Sequence, residues 1–243
     1  MATALPRTGI RSAATPSRWW LHRAFFAGVS LAMVAAVFVG FSRSYYLKGW
    51  YGSPELPTLY HVHAFLFTSW MALLVVQTTL VASRRTPLHR RLGVGGGVLA
   101  ALMTVAAIAM TLDLARRAAA GSSPEGLAFV IVPFMTLVVF PVLVGAALYY
   151  RRKPEIHKRL MLVATLELVT AGVARIPGAG SMPLFFVLTD IGLVAMVAYD
   201  LFTRGRPHAA TVWSGLFLIA SQIVRTTLGG TAAWIAFARM LGG

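Results

Sequence analysis

Cysteine is absent, lysine occurs three times, and there are only seven acidic residues among 243. The lack of cysteine excludes disulfides and thiolate-ligated metal centres. The shortage of charge is as informative. Charged residues make up 12% of the chain, against about 25% in ordinary soluble domains. Hydrophobic residues make up 58% and the mean hydropathy is +0.73. So few charges cannot cover that much apolar surface in water, and hydrocarbon is the natural solvent for such a chain. Hydrolytic signatures are missing too: there is no Gly-x-Ser-x-Gly and no His-Glu-x-x-His. Gly93-Val94-Gly95-Gly96-Gly97 has no preceding strand, so it reads as a site of close helix packing and not as a phosphate loop.

The charge that is present is mostly positive: 22 basic residues, 19 of them arginine, give a net charge of +15. In a soluble protein this would point to nucleic acid. Here the charges fall in short blocks between apolar runs, which is a membrane pattern facing anionic phospholipid headgroups, with no nucleic-acid partner. Arginine in place of lysine, with much Ala, Val and Leu, is the composition of a high-GC bacterial chain. The expected location is the bacterial inner (cytoplasmic) membrane, with multiple passes.

Seven apolar runs can be marked near 24–41, 60–82, 92–112, 127–150, 155–175, 183–203 and 211–228. Each has roughly the length that a bilayer core demands. The fold class is therefore all-α: a polytopic membrane bundle of about seven transmembrane helices. A basic N-terminal segment, 1–23, precedes a single transmembrane domain, 24–243. Val39-Gly40-Phe41 is a poor small-x-small site, so the first run reads as an uncleaved helix. Ser122-Ser123-Pro124-Glu125 supplies an N-cap, a first-turn proline and an early acid for the fourth run. Pro133 and Pro141 predict bends inside that run. Ile176-Pro177-Gly178-Ala179-Gly180 ends the fifth. Thr231–Met240 predicts a short outer-surface helix after Gly229-Gly230.

Counting basic residues predicts the orientation. The N-terminal segment and the connections after the second, fourth and sixth runs hold 15 of the 22 basic residues. The opposite side holds six, and Arg225 lies inside the seventh run. The basic side, with the N-terminus, is expected to be cytoplasmic. Two basic connections also resemble each other. Arg84-Arg85-Thr86-Pro87-Leu88-His89-Arg90-Arg91-Leu92 and Arg151-Arg152-Lys153-Pro154-Glu155-Ile156-His157-Lys158-Arg159-Leu160 share Arg-Arg-x-Pro followed by His-basic-Arg-Leu. Arg204-Gly205-Arg206-Pro207-His208 is a fainter third copy. The last six runs then form three parallel hairpins.

Ionisable groups at membrane depth are costly and mark candidate sites. His63, Trp70 and Gln77 are seven residues apart and share one helix face. His61 points away, at the outer rim. His63, Arg175, Asp190 and Arg225 all lie within about two turns of the outer helix ends at roughly 1.5 Å per residue. They are expected to converge on an outer-half pocket, with Asp190 and Arg225 paired. Glu167 lies near mid-depth, with Gln222 as its candidate partner.

At His63, Gln77, His89-Arg90-Arg91-Leu92-Gly93 and Glu155-Ile156-His157-Lys158-Arg159-Leu160-Met161, the chain resembles a group of uncharacterised bacterial multi-pass membrane proteins. That group shares a His-Arg-x-x-Gly loop and a later His-basic-Arg-Leu-Met segment. The chain is also distantly similar to transmembrane b-type cytochromes, where histidines on neighbouring helices ligate haem. This second resemblance implies haem b as a cofactor, with His63, His89 and His157 as candidate ligands and nearby basic residues for the propionates. Three function classes follow: a haem- or quinone-linked redox component, a transporter or small-anion binder using Asp190, Arg175 and Arg225, and a non-catalytic assembly subunit.

Overall fold

Proline and glycine set the helix boundaries. Prolines sit in the first turn of four helices, where a missing N–H costs nothing. Gly205, at φ 72°, ends another in the left-handed conformation. The computed structural model describes residues 19–243, and among them the secondary structure is entirely helical. The elements are α1 (Trp19–Phe41), a single π turn (Ser42–Tyr46), α2 (Lys48–Tyr51), α3 (Thr58–Ala82), α4 (Thr86–Ala120), α5 (Pro124–Phe129), α6 (Ile131–Tyr149), α7 (Pro154–Val173), α8 (Met182–Arg204), α9 (Ala209–Leu228) and α10 (Ala232–Leu241). Arg7, Arg11 and Arg18 of the basic N-terminal segment lie outside the described residues.

Five segments are long and apolar enough to cross a membrane: Trp20–Tyr46, Thr58–Ala82, Thr86–Ala120, Pro124–Tyr149 and Met182–Arg204. The chain has the build of a multi-pass integral membrane protein. The fifth and seventh apolar runs also form helices, α7 and α9, of 20 residues each. They carry more polar groups: Glu155, Lys158, Arg159 and Glu167 on α7, and Gln222 and Arg225 on α9.

The fourth run contains a break where only a bend was expected. Pro133 cannot donate to the carbonyl of Phe129, and the helix is interrupted at Val130, between α5 and α6. Pro141 stays inside α6 without interrupting it. The third run is longer than its apolar part: α4 has 35 residues. Its polar last turns carry an i,i+4 ion pair, Asp113 with Arg117 at 2.9 Å. α10 covers that end, burying Ala115, Ala118 and Ala238 together with Leu127 and Val130.

α7 is the centre of the bundle. Of its 20 residues, 13 are buried, and it packs against α1, α6, α8 and α9. α1 reaches it through glycine. A Cβ on Gly172 would lie 2.9 Å from the Cα of Val37, and a Cβ on Gly40 would overlap the Gly172 backbone. Small residues allow this approach, as in other membrane helix pairs. Trp70 ties α3 to the same helix, donating to Thr165 Oγ1 at 3.2 Å and packing edge-on against Phe140.

Side-chain contacts bring the basic connections to one end. His89 faces His157, which joins the α3–α4 and α6–α7 turns. Arg159 binds Asp200, beside the α8–α9 turn. Tyr199 bonds His22, which puts the start of α1 at the same end. Exposed aromatics ring both ends: Trp20, Tyr149, Phe202 and Trp213 at the basic end, and Trp50, Tyr51, Phe129 and Phe237 at the other. Aliphatic side chains such as Leu31, Val105, Val142, Ile191 and Val194 are exposed between them. Aromatic belts flanking an apolar band are the surface of a membrane-embedded bundle.

Candidate functional site

Polar groups inside this bundle gather at three places. The first lies between the two resembling turns. His89, in the first turns of α4, and His157, in the first turn of α7, have ring centres 6.3 Å apart and planes at 80°. His157 Nδ1 lies 2.8 Å from the carbonyl oxygen of Ala147. A carbonyl can only accept, so Nδ1 carries a proton, and in the neutral ring Nε2 is the lone-pair nitrogen. Gln77, from α3, donates through Nε2 to the His89 carbonyl at 3.2 Å. Two buried atoms here have no partner: His89 Nδ1 and Gln77 Oε1.

The second place is the half of the core away from the basic end. Arg225 and Glu167 are both buried, and Arg225 Nη2 donates to Glu167 Oε1 at 2.5 Å. Thr136 of α6 donates to the same oxygen at 2.7 Å. Arg225 Nε has no partner, and the guanidinium stands 5.6 Å from the centre of the Phe186 ring. This arrangement overturns the expected Asp190–Arg225 pair. Asp190 accepts instead from Gln222 at 2.9 Å, so the two acids have exchanged the partners that depth alone assigned them. α9 lies against α7 and α8 together, and which acid each of its residues meets depends on the direction it faces around the helix.

The four residues expected to converge are divided: Asp190 and Arg225 take separate partners, while the charge of Arg175 reaches His63. Arg175 is exposed; it donates to the Ala171 carbonyl at 2.6 Å and lies over the Phe41 ring at 4.4 Å. His63 packs its ring 4.1 Å from that of Phe67, and its buried Nδ1 has no partner. Arg225 is thus neutralised by Glu167, and Asp190 is held by Gln222.

The third place, at the basic end, was not anticipated from the sequence. Arg159 has counted so far as one more loop cation, yet it is 1% exposed. Asp200, at the end of α8, is fully buried and binds the Arg159 guanidinium through both oxygens. Thr211 Oγ1 donates to Asp200 at 2.6 Å and the His208 backbone N–H at 3.1 Å. Arg159 also donates to the carbonyl of Glu155 at 2.8 Å and to its carboxylate at 2.6 Å. The signal lay in Asp200, an acid inside an apolar run on the same side as the basic turns.

No family model, curated protein or solved structure matches this chain. The residues themselves therefore carry the functional argument. Among the described residues, no group of three or more His, Asp or Glu side chains converges to hold a metal. His89 and His157 are two facing imidazoles, and the Arg225–Glu167 and Arg159–Asp200 pairs are internally compensated.

Proposed function

We propose that the chain crosses the membrane seven times, with its N-terminus and basic turns in the cytoplasm, and that His89 and His157 would hold a b-type haem at that end. The seven-span reading adds α7 and α9 to the five apolar spans. Each has 20 residues, about 30 Å of helix, the thickness of the hydrocarbon core. Their buried charges pair with one another or with α8 and so need no water. The orientation follows from the excess of arginine at one end. Those arginines then meet anionic headgroups of the inner leaflet.

The haem reading is carried by one observation. Two imidazoles from different hairpins face each other at 6.3 Å between ring centres, with one fixed so that Nε2 is free. At that separation a nitrogen of each ring could reach one metal at about 2.0–2.1 Å. A ligating histidine normally donates its second nitrogen to a carbonyl or carboxylate, as His157 does. Two protein ligands are too few for zinc, which takes three or four. They suffice for a haem iron, whose macrocycle brings the other four. Arg90 and Arg91 are exposed beside His89 and suit the propionates. Such a group, when bound, supplies one-electron transfer. The chain's own residues would hold its metal and orient the ligands.

Two measurements test these readings. The native chain has no cysteine, so single-cysteine variants give unambiguous labelling. In intact cells, Ala120→Cys should react with an impermeant maleimide and Ser83→Cys only after lysis; the reverse pattern overturns the orientation. Protein purified after expression with haem supplied should show a Soret band. The band should be lost in His89→Ala and His157→Ala and retained in His63→Ala. A blank visible spectrum in the native protein removes the haem reading.

A further inference from the structure

Gln77 is bonded to the main chain of one member of the histidine pair, and the two polar atoms left unpartnered there are chemically complementary. His89 Nδ1 and Gln77 Oε1 are both buried and unbonded. An orphaned buried polar atom is costly, and these two belong to residues already bonded to each other, so the complement sought is each other or one shared water. The Gln77 amide is already anchored to the His89 main chain through its Nε2–H. Its orientation is therefore set: the nitrogen donates to the carbonyl, and the oxygen is left over as an acceptor. The complement His89 can offer that oxygen is a proton on Nδ1, although the ring also lies within reach of the Gln77 main-chain carbonyl. That protonation leaves Nε2 as the lone-pair nitrogen, the state in which His157 is already held by Ala147.

We propose that Gln77 is the positioning residue of this site: it accepts from His89 Nδ1–H, directly or through one water, and so locks His89 with Nε2 free for a metal. This proposal rests on the histidine-pair reading above. It does for His89 what a main-chain carbonyl does for His157, and it gives a polar side chain at membrane depth a reason to be there.

The test is made on the full-length, haem-free protein in detergent, labelled with ¹⁵N-histidine. Imidazole nitrogen spectra distinguish the two tautomers, and the His89 signals are identified by their loss in His89→Ala. In the native chain His89 should be the Nδ1–H tautomer. Gln77→Leu should shift it to Nε2–H or an even mixture, while His157 stays Nδ1–H and reports an intact bundle. Gln77→Glu keeps an acceptor and should restore Nδ1–H at His89. A native His89 in the Nε2–H form, or a tautomer unchanged in Gln77→Leu, overturns the proposal. If Gln77→Leu does not fold, the native spectrum alone decides. The haem reading fails separately, on a missing Soret band with these tautomers as expected.

Discussion

Arg225 and Arg159 are both buried, both anchored to a carboxylate on a neighbouring helix, and both organised around α7, yet their surroundings differ. The Arg159 site is saturated: Asp200 receives Arg159, Thr211 and the His208 backbone, and Arg159 has a second acid in Glu155. The Arg225 site is spare: one acid, one threonine, an aromatic face and an Nε with no partner. A buried ion pair is weak evidence of stability in itself, because desolvation offsets attraction. What differs is how much compensation remains when one partner goes. The saturated site sits where the tight α8–α9 turn and the start of α7 must be joined. The spare one sits where only helix sides meet, so few backbone donors are available to it.

That contrast makes the effects of substitution unequal. The largest loss is expected for Glu167→Ala, which leaves Arg225 buried with no countercharge, at a cost of about 3–5 kcal/mol. It would be read as a lowered unfolding midpoint in detergent. Adding Arg225→Met to Glu167→Leu should recover most of it, because an apolar pair of similar volume carries no such penalty. If the double variant is no better than the single, the site contributes more than compensated charge. Asp200→Ala should cost less, about 1–3 kcal/mol, because Arg159 keeps Glu155. A loss from Asp200→Ala equal to that from Glu167→Ala would erase the distinction between the two sites.

The smallest effect concerns pH. His208 caps α9: its Nδ1 accepts from the Ala210 N–H at 3.0 Å, which requires a neutral ring. Burial, with help from the charges of Arg159 and Arg204, holds its pKa below the ordinary value of 6.5. The folded state thus binds the proton more weakly than the unfolded chain. This contribution is complete above pH 6.5 and is lost as pH falls from there through the folded value. His208→Ala should cost about 0.5–1 kcal/mol at neutral pH, as for other lost N-caps, and should flatten the acid side of the stability profile. His208→Asn should keep the cap and still flatten it. An unchanged profile in both variants would place the titration elsewhere.

Much of the fold was legible because its causes are local. Apolar runs of bilayer length, prolines in first turns and Ser123 ahead of Pro124 acted through residues near them in the chain. The facing of His89 and His157 was open to a sequence reading only because two turns resemble each other. The partners of Arg225 and Asp190 were not legible. Distance along a helix indicates depth, and Glu167 and Asp190 both lie within reach of α9 by depth. The choice between them is a matter of rotation about the helix axis. Arg159 was misjudged for a related reason: beside so many loop arginines, nothing local marks the one that turns inward to Asp200.

Composition and hydropathy determined that this chain is helical and has several segments suited to hydrocarbon, because an apolar backbone segment in lipid must satisfy its own hydrogen bonds and a helix does so within itself. The tertiary structure alone decided which buried charges meet, which histidines face each other and which polar atoms are left unpaired. Those outcomes depend on how helix faces rotate against their neighbours around α7. Close contacts such as Gly40 on Gly172 set that rotation, and no periodicity in the sequence encodes it.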